Sequence, residues 1–347
     1  MKSTGKVTTG LDAATIGPEA VTIGLEALTI GRVGVDLYPE QSGVPLARVR
    51  TFAKSLGGTA TNVAVAAARL GRRSAVLTKV GPDGFGEYVR AALAEFGVSP
   101  EFVGTAPDLQ TPVVFCALHP PADPPLLFYR APLAPDLALT PADVPWEVVD
   151  TVPLLWVTGT GMSAEPSRST QRAVLTRRAR RGHTVLDLDY RPMFWPDAAT
   201  ARTEISWMLD HVTAVVGNRA EMRVALGVED PEAAADRLLA RGVRLAVIKR
   251  GAEGVLIATE DGRWSVPPCP VEVVCGLGAG DGFGGAMIHG LLAGWDPPRL
   301  AAYANAAGAL VAARLACADA MPTHDEIEEL RCGPLGSAAT RRTSPCT

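Results

Sequence analysis

The sequence predicts an α/β fold: a doubly wound, mostly parallel sheet with helices on both faces and a small β lid. Three observations carry that prediction. Short runs of β-branched and apolar residues alternate with Ala-, Leu- and Arg-rich segments of helical period along most of the chain, the rhythm of strand–helix–strand units. Those runs are short and apolar, as strands covered on both faces are. Two proline-bearing stretches, LYPEQSGVPLARVRTFAKS and TPVVFCALHPPADPPLLFYRA, break the rhythm directly after core elements. They supply the lid, over about residues 37–55 and 112–131.

The elements follow in order. Residues 1–26 contain TIGPEAV and TIGLEAL, at Thr15 and Thr22, with TIG again at Thr29. Two glycine-interrupted copies are too few for a coiled coil, and a loosely ordered extension is expected. From Ala27, ALTIGRVGVDLY reads as the first core strand, ending at Asp36. SLGG then turns into a helix, TATNVAVAAARLG, which Gly71 stops. RSAVLTKVG is a strand, and FGEYVRAALAEFG a helix stopped by Gly97. LLWVTGTG, TVLDLDYR, HVTAVVGN and RLAVIKRG are further strands, and GVLIATEDGRW reads as strand, turn, strand. Helix formers dominate from Asp281 to Ala316, so the glycine run before them marks a loop-to-helix junction. The core domain is expected over residues 27–332, with 333–347 a loose tail.

Composition narrows the function classes. A chain of 347 residues with 47% hydrophobic and 20% charged content reads as soluble and globular, as one large domain or two ordinary ones. A net charge of −4 gives no reason to expect nucleic acid or a membrane surface as partner. The six cysteines show neither CxxC pairs nor His-linked metal spacing and read as free thiols in a reducing compartment. No apolar run approaches the roughly 20 residues of a membrane span, and no signal-peptide layout opens the chain. The expected location is the cytoplasm.

In doubly wound sheets, ligands bind beyond the carboxyl ends of the strands. The polar residues expected there are Asp36, then Gly57, Gly58 and Asn62 in SLGGTATN, Arg191 after LDLDY, Asn218 and Glu221 in NRAE, and Lys249, Gly251 and Gly254 in KRGAEG. The sharpest feature is CGLGAGDGFGGAMIHG, residues 275–290, where one carboxylate, Asp281, stands among glycines at a helix start. The first N–H groups of a helix lack partners and attract anions, and glycines let a ligand approach that backbone. An acid beside such a nest suggests a base working next to a phosphate. Plainer readings exist for each feature: a helix cap for Asp281 and for NRAE, a hairpin turn for KRGAEG, a packed surface arginine for Arg191. Convergence of several independent candidates on the strand ends of one sheet favours a site. The spacing of Gly278, Gly280 and Phe283 breaks the dinucleotide fingerprint GxGxxG.

Taken together, GGTATNVAVAAARLG, GPDGFG at 81–86, NRAE, KRGAEG and above all GLGAGDGFGGAM resemble the ribokinase-like sugar kinases, from about Ala27 to Arg331. IGRVGVDLYPEQ, LDLDYRPMFW and ACADAMPT resemble the members of that family that act on a sugar acid of myo-inositol breakdown. The resemblance implies transfer of the γ-phosphate of ATP, with Mg2+, to the 6-hydroxyl of 5-dehydro-2-deoxygluconate. Another acceptor of the same family, 2-keto-3-deoxygluconate or fructose, is the alternative. It implies Asp281 as the base, and Gly278, Ala279 and Gly280 as the amides holding negative charge. Asp36, Gly58 and Asn62 would grip the sugar. Asn218 and Glu221 would organise Mg2+ through water, Lys249, Gly251 and Gly254 would line the nucleotide, and Asn305 would lie on its adenine side. A carboxylate substrate needs a cation, for which Arg191 is the first choice and Lys54 the reserve. Where many relatives carry a polar pair ahead of GAGD, this chain has Cys275, Gly276 and Leu277, which puts activation by a monovalent cation in doubt. An exposed lid sheet would also allow pairing with a second copy.

Overall fold

The first core strand is two strands. In the computed structural model, which describes residues 24–41, 43–118 and 125–332, ALTI forms β1 (Ala27–Ile30) and GVDLYP forms β2 (Gly34–Pro39). Between them Gly31 takes φ +152°, and a Cβ there would collide with the Thr158 hydroxyl, so the chain can leave the sheet at this point only because it has no side chain. The single strand expected from ALTIGRVGVDLY is corrected accordingly: β1 belongs to the main sheet and β2 to a second one. Asp36 lies inside β2 and does not end the first strand. The repeats at Thr15 and Thr22 and the tail from 333 lie outside the described residues. Of the expected extension, residues 24–26 are described, and Glu26 pairs with Arg72 at 3.1 Å.

The chain continues through β3 (Phe52–Gly57), α1 (Thr59–Arg69), β4 (Ser74–Val80), α2 (Gly84–Glu95), β5 (Val98–Ser99), β6 (Val103–Thr105), β7 (Val113–Cys116) and β8 (Leu126–Tyr129). Then come α3 (Trp146–Thr151), β9 (Leu154–Thr158), α4 (Ser167–Arg178), β10 (His183–Asp187), α5 (Ala198–Leu209), β11 (Ala214–Asn218), α6 (Arg219–Leu226), α7 (Pro231–Ala240) and β12 (Leu245–Lys249). The hairpin β13 (Val255–Thr259) and β14 (Gly262–Val266) leads to helices α8 (Ala279–Leu292), α9 (Pro297–Ala312) and α10 (His324–Cys332).

The main sheet runs β14-β13-β12-β11-β10-β9-β1-β4-β5, with β6 beside β4. It is parallel from β12 across to β5, and β13 and β14 are antiparallel. The strands read as apolar runs because both faces are buried. Leu155 and Val157 of β9 join the core under α4 and α5, while Leu154 and Trp156 join the one under α8 and α9. β1 sits between β4 and β9, the point where the strand order reverses, so the loops leaving β1 and β9 part and open a crevice.

The second sheet has the order β3-β2-β7-β8. The first proline-bearing stretch supplies the end of β2 and most of β3, and the second supplies β7 and β8. Its alternation puts Asp36, Val114, Leu126 and Phe128 over the crevice. On the opposite face, Phe52, Phe115 and Tyr129 meet edge to face, with Leu127 47% and Tyr129 60% exposed.

Helix α8 lies tightly on α1. A Cβ at Gly284 would come within 3.0 Å of Trp156 and Val63, and one at Gly285 would overlap Ala66. Gly285→Ala should therefore force the two helices apart and lower the stability by about 1–3 kcal/mol, the usual cost of overpacking a core. Chemical denaturation of the two proteins measures it, and an unchanged midpoint would show that the helices slide apart freely.

Candidate active site

Everything in the crevice is arranged around the first turn of α8. Gly278 precedes it with φ +78°, a left-handed conformation that glycine adopts without strain. No side chain caps this turn, so its amides face the crevice with the positive end of the helix dipole behind them. Asp281 is the third residue of the helix, and its carboxylate accepts a hydrogen bond from Asn62 Nδ2 at 2.8 Å. Burial pushes the Asp281 carboxyl up to about 6, although the Asn62 bond and the Arg32 and Arg191 charges pull the other way. Asn62, on α1, is buried, and its Oδ1 has no hydrogen-bond partner.

Two cavities meet at this turn. The first lies between the second sheet and the carboxyl ends of the main strands. Asp36, Gly58, Asn62, Arg191, Gly278 and Asp281 line it, so five of the sequence-predicted positions are brought together with the proposed base. The Asp36 carboxyl is likewise pushed up to about 6, by burial first and also by the Asp281 charge, against the pull of Arg32. Gly57 leaves room for this carboxylate, which a Cβ there would overlap.

Three arginines line the first cavity, and only Arg191 was legible in the sequence. Arg32, on the loop after β1, forms a buried ion pair with Asp189 at 3.0 Å. Arg130 pairs with Asp136 at 2.8 Å and lies over the Phe194 ring. Arg191 Nε stands 3.3 Å from Asp189 Oδ1 in a side chain 43% exposed, and that Nε makes no hydrogen bond. Asp189 also accepts from Thr160 Oγ1 at 3.0 Å. Burial works to raise its carboxyl, but Arg32 and Arg191 outweigh burial and hold it low. Reading ALTIGRVGVDLY as one strand hid Arg32 in mid-strand; its position at a strand end follows only from the break at Gly31. Lys54 does not reach the cavity. It is exposed on β3, with its ammonium 4.0 Å from the Tyr88 ring centroid, because its place in β3 points it to the face of the second sheet away from the crevice.

The second cavity, about 630 Å³, lies on the other side of the same turn, lined by Lys249, Gly251, Gly254, Ala279, Gly280 and Asn305. KRGAEG is the hairpin turn joining β12 to antiparallel β13, and its glycines open onto this cavity. Asn305 donates to the Pro267 carbonyl at 3.0 Å. Asn218 and Glu221 line neither cavity. They form a reciprocal cap on α6: Asn218 Oδ1 accepts from Glu221 N at 3.0 Å, and Glu221 Oε2 accepts from Asn218 N at 2.7 Å. Glu221 is buried, and its charge bears on Asp187 and Lys249. Asp187, at the end of β10, was read only as part of a strand; burial pushes its carboxyl up, with Asp189, Glu221 and Asp281 adding repulsion. Cys275 is buried and burial raises its thiol pKa, the properties of an inert packing residue. Among the described residues no cluster of three His, Cys, Asp or Glu side chains is placed to hold a metal directly, and no helix is long and apolar enough to cross a membrane.

Residues 25–324 match the family model described as pfkB family carbohydrate kinase. The chain is 34% identical over 303 residues to the 5-dehydro-2-deoxygluconokinase of Photobacterium profundum, covering 85% of this chain and 91% of that one. It is 30% identical over 305 residues to the 5-dehydro-2-deoxygluconokinase of Geobacillus thermodenitrificans, covering 86% and 90%. The fold superposes on that of a putative ribokinase II from E. coli, solved in complex with ATP and Mg2+, with a TM-score of 0.80 at 24% identity over 88% of this chain and 98% of that one.

Proposed function

The chain belongs to the pfkB family of carbohydrate kinases, and from that premise we propose that it phosphorylates the 6-hydroxyl of 5-dehydro-2-deoxygluconate from ATP in myo-inositol breakdown. The observation that carries the choice of a sugar acid is the first cavity, where Arg32, Arg130 and Arg191 surround the space in front of Asp281. Guanidinium groups bind carboxylate in a planar, two-point fashion. Arg32 and Arg130 are already paired with Asp189 and Asp136, and the half-exposed Arg191 is the member of the three with capacity left for a ligand carboxylate. The names of the relatives at about 30% identity agree with this choice. In this reading the protein works in the cytoplasm.

The residues present fit ATP and Mg2+. The second cavity, about 630 Å³, has the volume of a small-molecule site. The backbone of Ala279 and Gly280 lines it beside the Lys249 ammonium, which would stand 3.3 Å from a Cβ at Gly280. Asp187 and Glu221 stand outside the two cavity linings, but their charges act on Lys249 beside the turn, and they supply carboxylates there without forming a closed cage. That suits Mg2+, which is held mainly by phosphate and water with one or two carboxylates. Glu221 would act on it through water. Bound there, Mg2+ neutralises phosphate charge.

Phosphoryl transfer leaves little covalent work to the protein, so positioning and electrostatics dominate. Asp36, Gly58 and Asn62 hold the sugar hydroxyls, and Arg191 takes the carboxylate. Asp281 accepts the proton of the attacking hydroxyl. The amides of Gly278, Ala279 and Gly280 receive the charge that builds on the transferring phosphoryl oxygens. Gly251, Gly254 and Asn305 line the nucleotide. The second sheet closes the sugar cavity as a lid and excludes water, which limits loss of ATP to hydrolysis. Its apolar outer face, with Leu127 and Tyr129 exposed, would pair with a second copy of the chain.

The test is coupled ADP release with Mg-ATP on 5-dehydro-2-deoxygluconate, 2-keto-3-deoxygluconate, fructose and ribose. The first should give the highest kcat/KM; preference for fructose or ribose would discard the acceptor and keep the kinase. The same assay gives a pH dependence. Asp281 must be ionised to accept a proton, and its carboxyl stands at about 6. Activity should therefore be full above that pH and fall as pH drops through it. In kcat/KM the half-point should lie about two units above that of an ordinary aspartate, near 3.9. A flat profile down to about pH 4.5 would remove Asp281 as the titrating base.

A further inference from the structure

We infer that Lys249 is the cation for the leaving group, placed to neutralise the oxygen that ADP carries away when the phosphoryl group moves to the sugar. The inference rests on the kinase reading above and concerns the end of the reaction opposite Asp281.

The geometry comes from the two cavities sharing one helical turn. Gly278 and Asp281 face the first, and Ala279 and Gly280 face the second. In the transfer, a bond forms between the sugar oxygen and the γ-phosphorus, and the bond from that phosphorus to the β,γ-bridging oxygen breaks. The electron pair of the broken bond stays on the bridging oxygen, which becomes a terminal oxygen of ADP. The hydroxyl proton goes to Asp281. Attacking and leaving oxygens lie roughly in line, so with the acceptor on the first-cavity side, the new charge appears on the second-cavity side.

Lys249 stands there. It is the last residue of β12, fixed between Asn218 of β11 and Val255 of β13 by the sheet register. Its Nζ reaches the Gly280 position, 3.3 Å from where a Cβ would stand. Burial works against its charge, but Asp187, Glu221 and Asp281 outweigh burial and keep the amine protonated. None of those carboxylates pairs with it: among the described residues, no acidic oxygen lies within the 4.0 Å of an ion pair. The basic residues of the hairpin turn and of the start of α6 are already used, and Arg191 lines the first cavity. Arg219 is paired with Glu253 at 2.7 Å, and Arg250 donates to the Glu253 carbonyl and to Ser265. Lys249 is the one basic residue lining the second cavity among those described.

The role predicts a pattern across nucleotides that needs no sugar. Titration calorimetry of the full chain and its Lys249→Met variant with AMP, ADP and ATP, at fixed Mg2+, reads it. The variant should bind ADP at least tenfold more weakly, because ADP carries the terminal β-phosphate charge. ATP, whose bridging oxygen is still bonded, should lose less than threefold, and AMP nothing. Lys249→Arg keeps the charge and should hold ADP within threefold of the parent. With the preferred sugar, Lys249→Met should lose about 100- to 1,000-fold in kcat, the scale of one charge-stabilising donor, at a KM for ATP within threefold. Equal losses for all three nucleotides, no loss for ADP, or an arginine variant as weak as the methionine one would overturn the inference. If the parent protein phosphorylates no sugar of the panel, the acceptor reading falls, and the nucleotide series still decides Lys249.

Discussion

Asp281→Asn should reduce sugar phosphorylation by at least about a thousandfold while ATP binding persists, since a positioned general base supplies roughly 100- to 10,000-fold. The substitution is close to isosteric. The new amide still offers a carbonyl to Asn62 Nδ2, which donates to the native carboxylate at 2.8 Å, so the fold of the turn should survive. What disappears is the carboxylate in the first turn of α8, the proposed acceptor of the hydroxyl proton. Asp36 is the competing candidate, because its carboxyl stands at about the same value and shares the cavity. Asp36, however, belongs to the second sheet, whereas Asp281 lies within the capless turn whose amides face the crevice. Removing the Asp281 charge should also let Asp36 ionise at lower pH, since Asp281 is one of the groups raising it. Coupled ADP release gives kcat, and calorimetry with ATP shows whether binding persists. A kcat within tenfold of the parent would transfer the base to another residue.

How much of this was legible beforehand depends on whether a feature is local. The start of α8 was readable because glycines at 278, 280 and 282 around one acid have few other uses, and the strands were readable because double-sided burial makes them uniformly apolar. The fold class followed from their alternation with helices. The break between β1 and β2 was not readable, since Ile30 to Val35 offers only two glycines in a run of good strand formers; the turn is dictated by the crowding of Gly31 against Thr158 of β9, far along the chain but next to β1 in the sheet. That miss cost the site Arg32, whose partner Asp189 lies 157 residues away. Arg130 was missed for a similar reason: it ends a stretch recognised only as a departure from the rhythm. Lys54 was placed by charge alone, and strand alternation sends it to the far face of the second sheet. The capping of Asn218 and Glu221 on each other is local, and the sequence carried it as the plainer reading of NRAE.

Arg191→Ala should raise KM for a sugar acid by about 10- to 100-fold and leave kcat within about threefold, as expected when a charged hydrogen bond made equally in ground and transition states is removed. The three arginines differ in how far the protein has already used them. Arg32 is 6% exposed and bound to Asp189 and Thr59. Removing it would take the main partner from a buried carboxylate, at a cost of up to roughly 3–5 kcal/mol, which tests folding more than recognition. Arg130 is bound through both oxygens of Asp136 and stacked on Phe194, so it too holds the structure. Arg191 is the half-exposed member, with one ion-pair contact and an Nε that makes no hydrogen bond, and its guanidinium has the most capacity left for a ligand. A neutral acceptor provides the control. If the effect comes from the carboxylate, the KM for fructose should not move in the variant, so the preference for the acid narrows by the same factor. An equal rise for both acceptors would make Arg191 a support for the cavity wall, and an unchanged KM for the acid would place the carboxylate against Arg130.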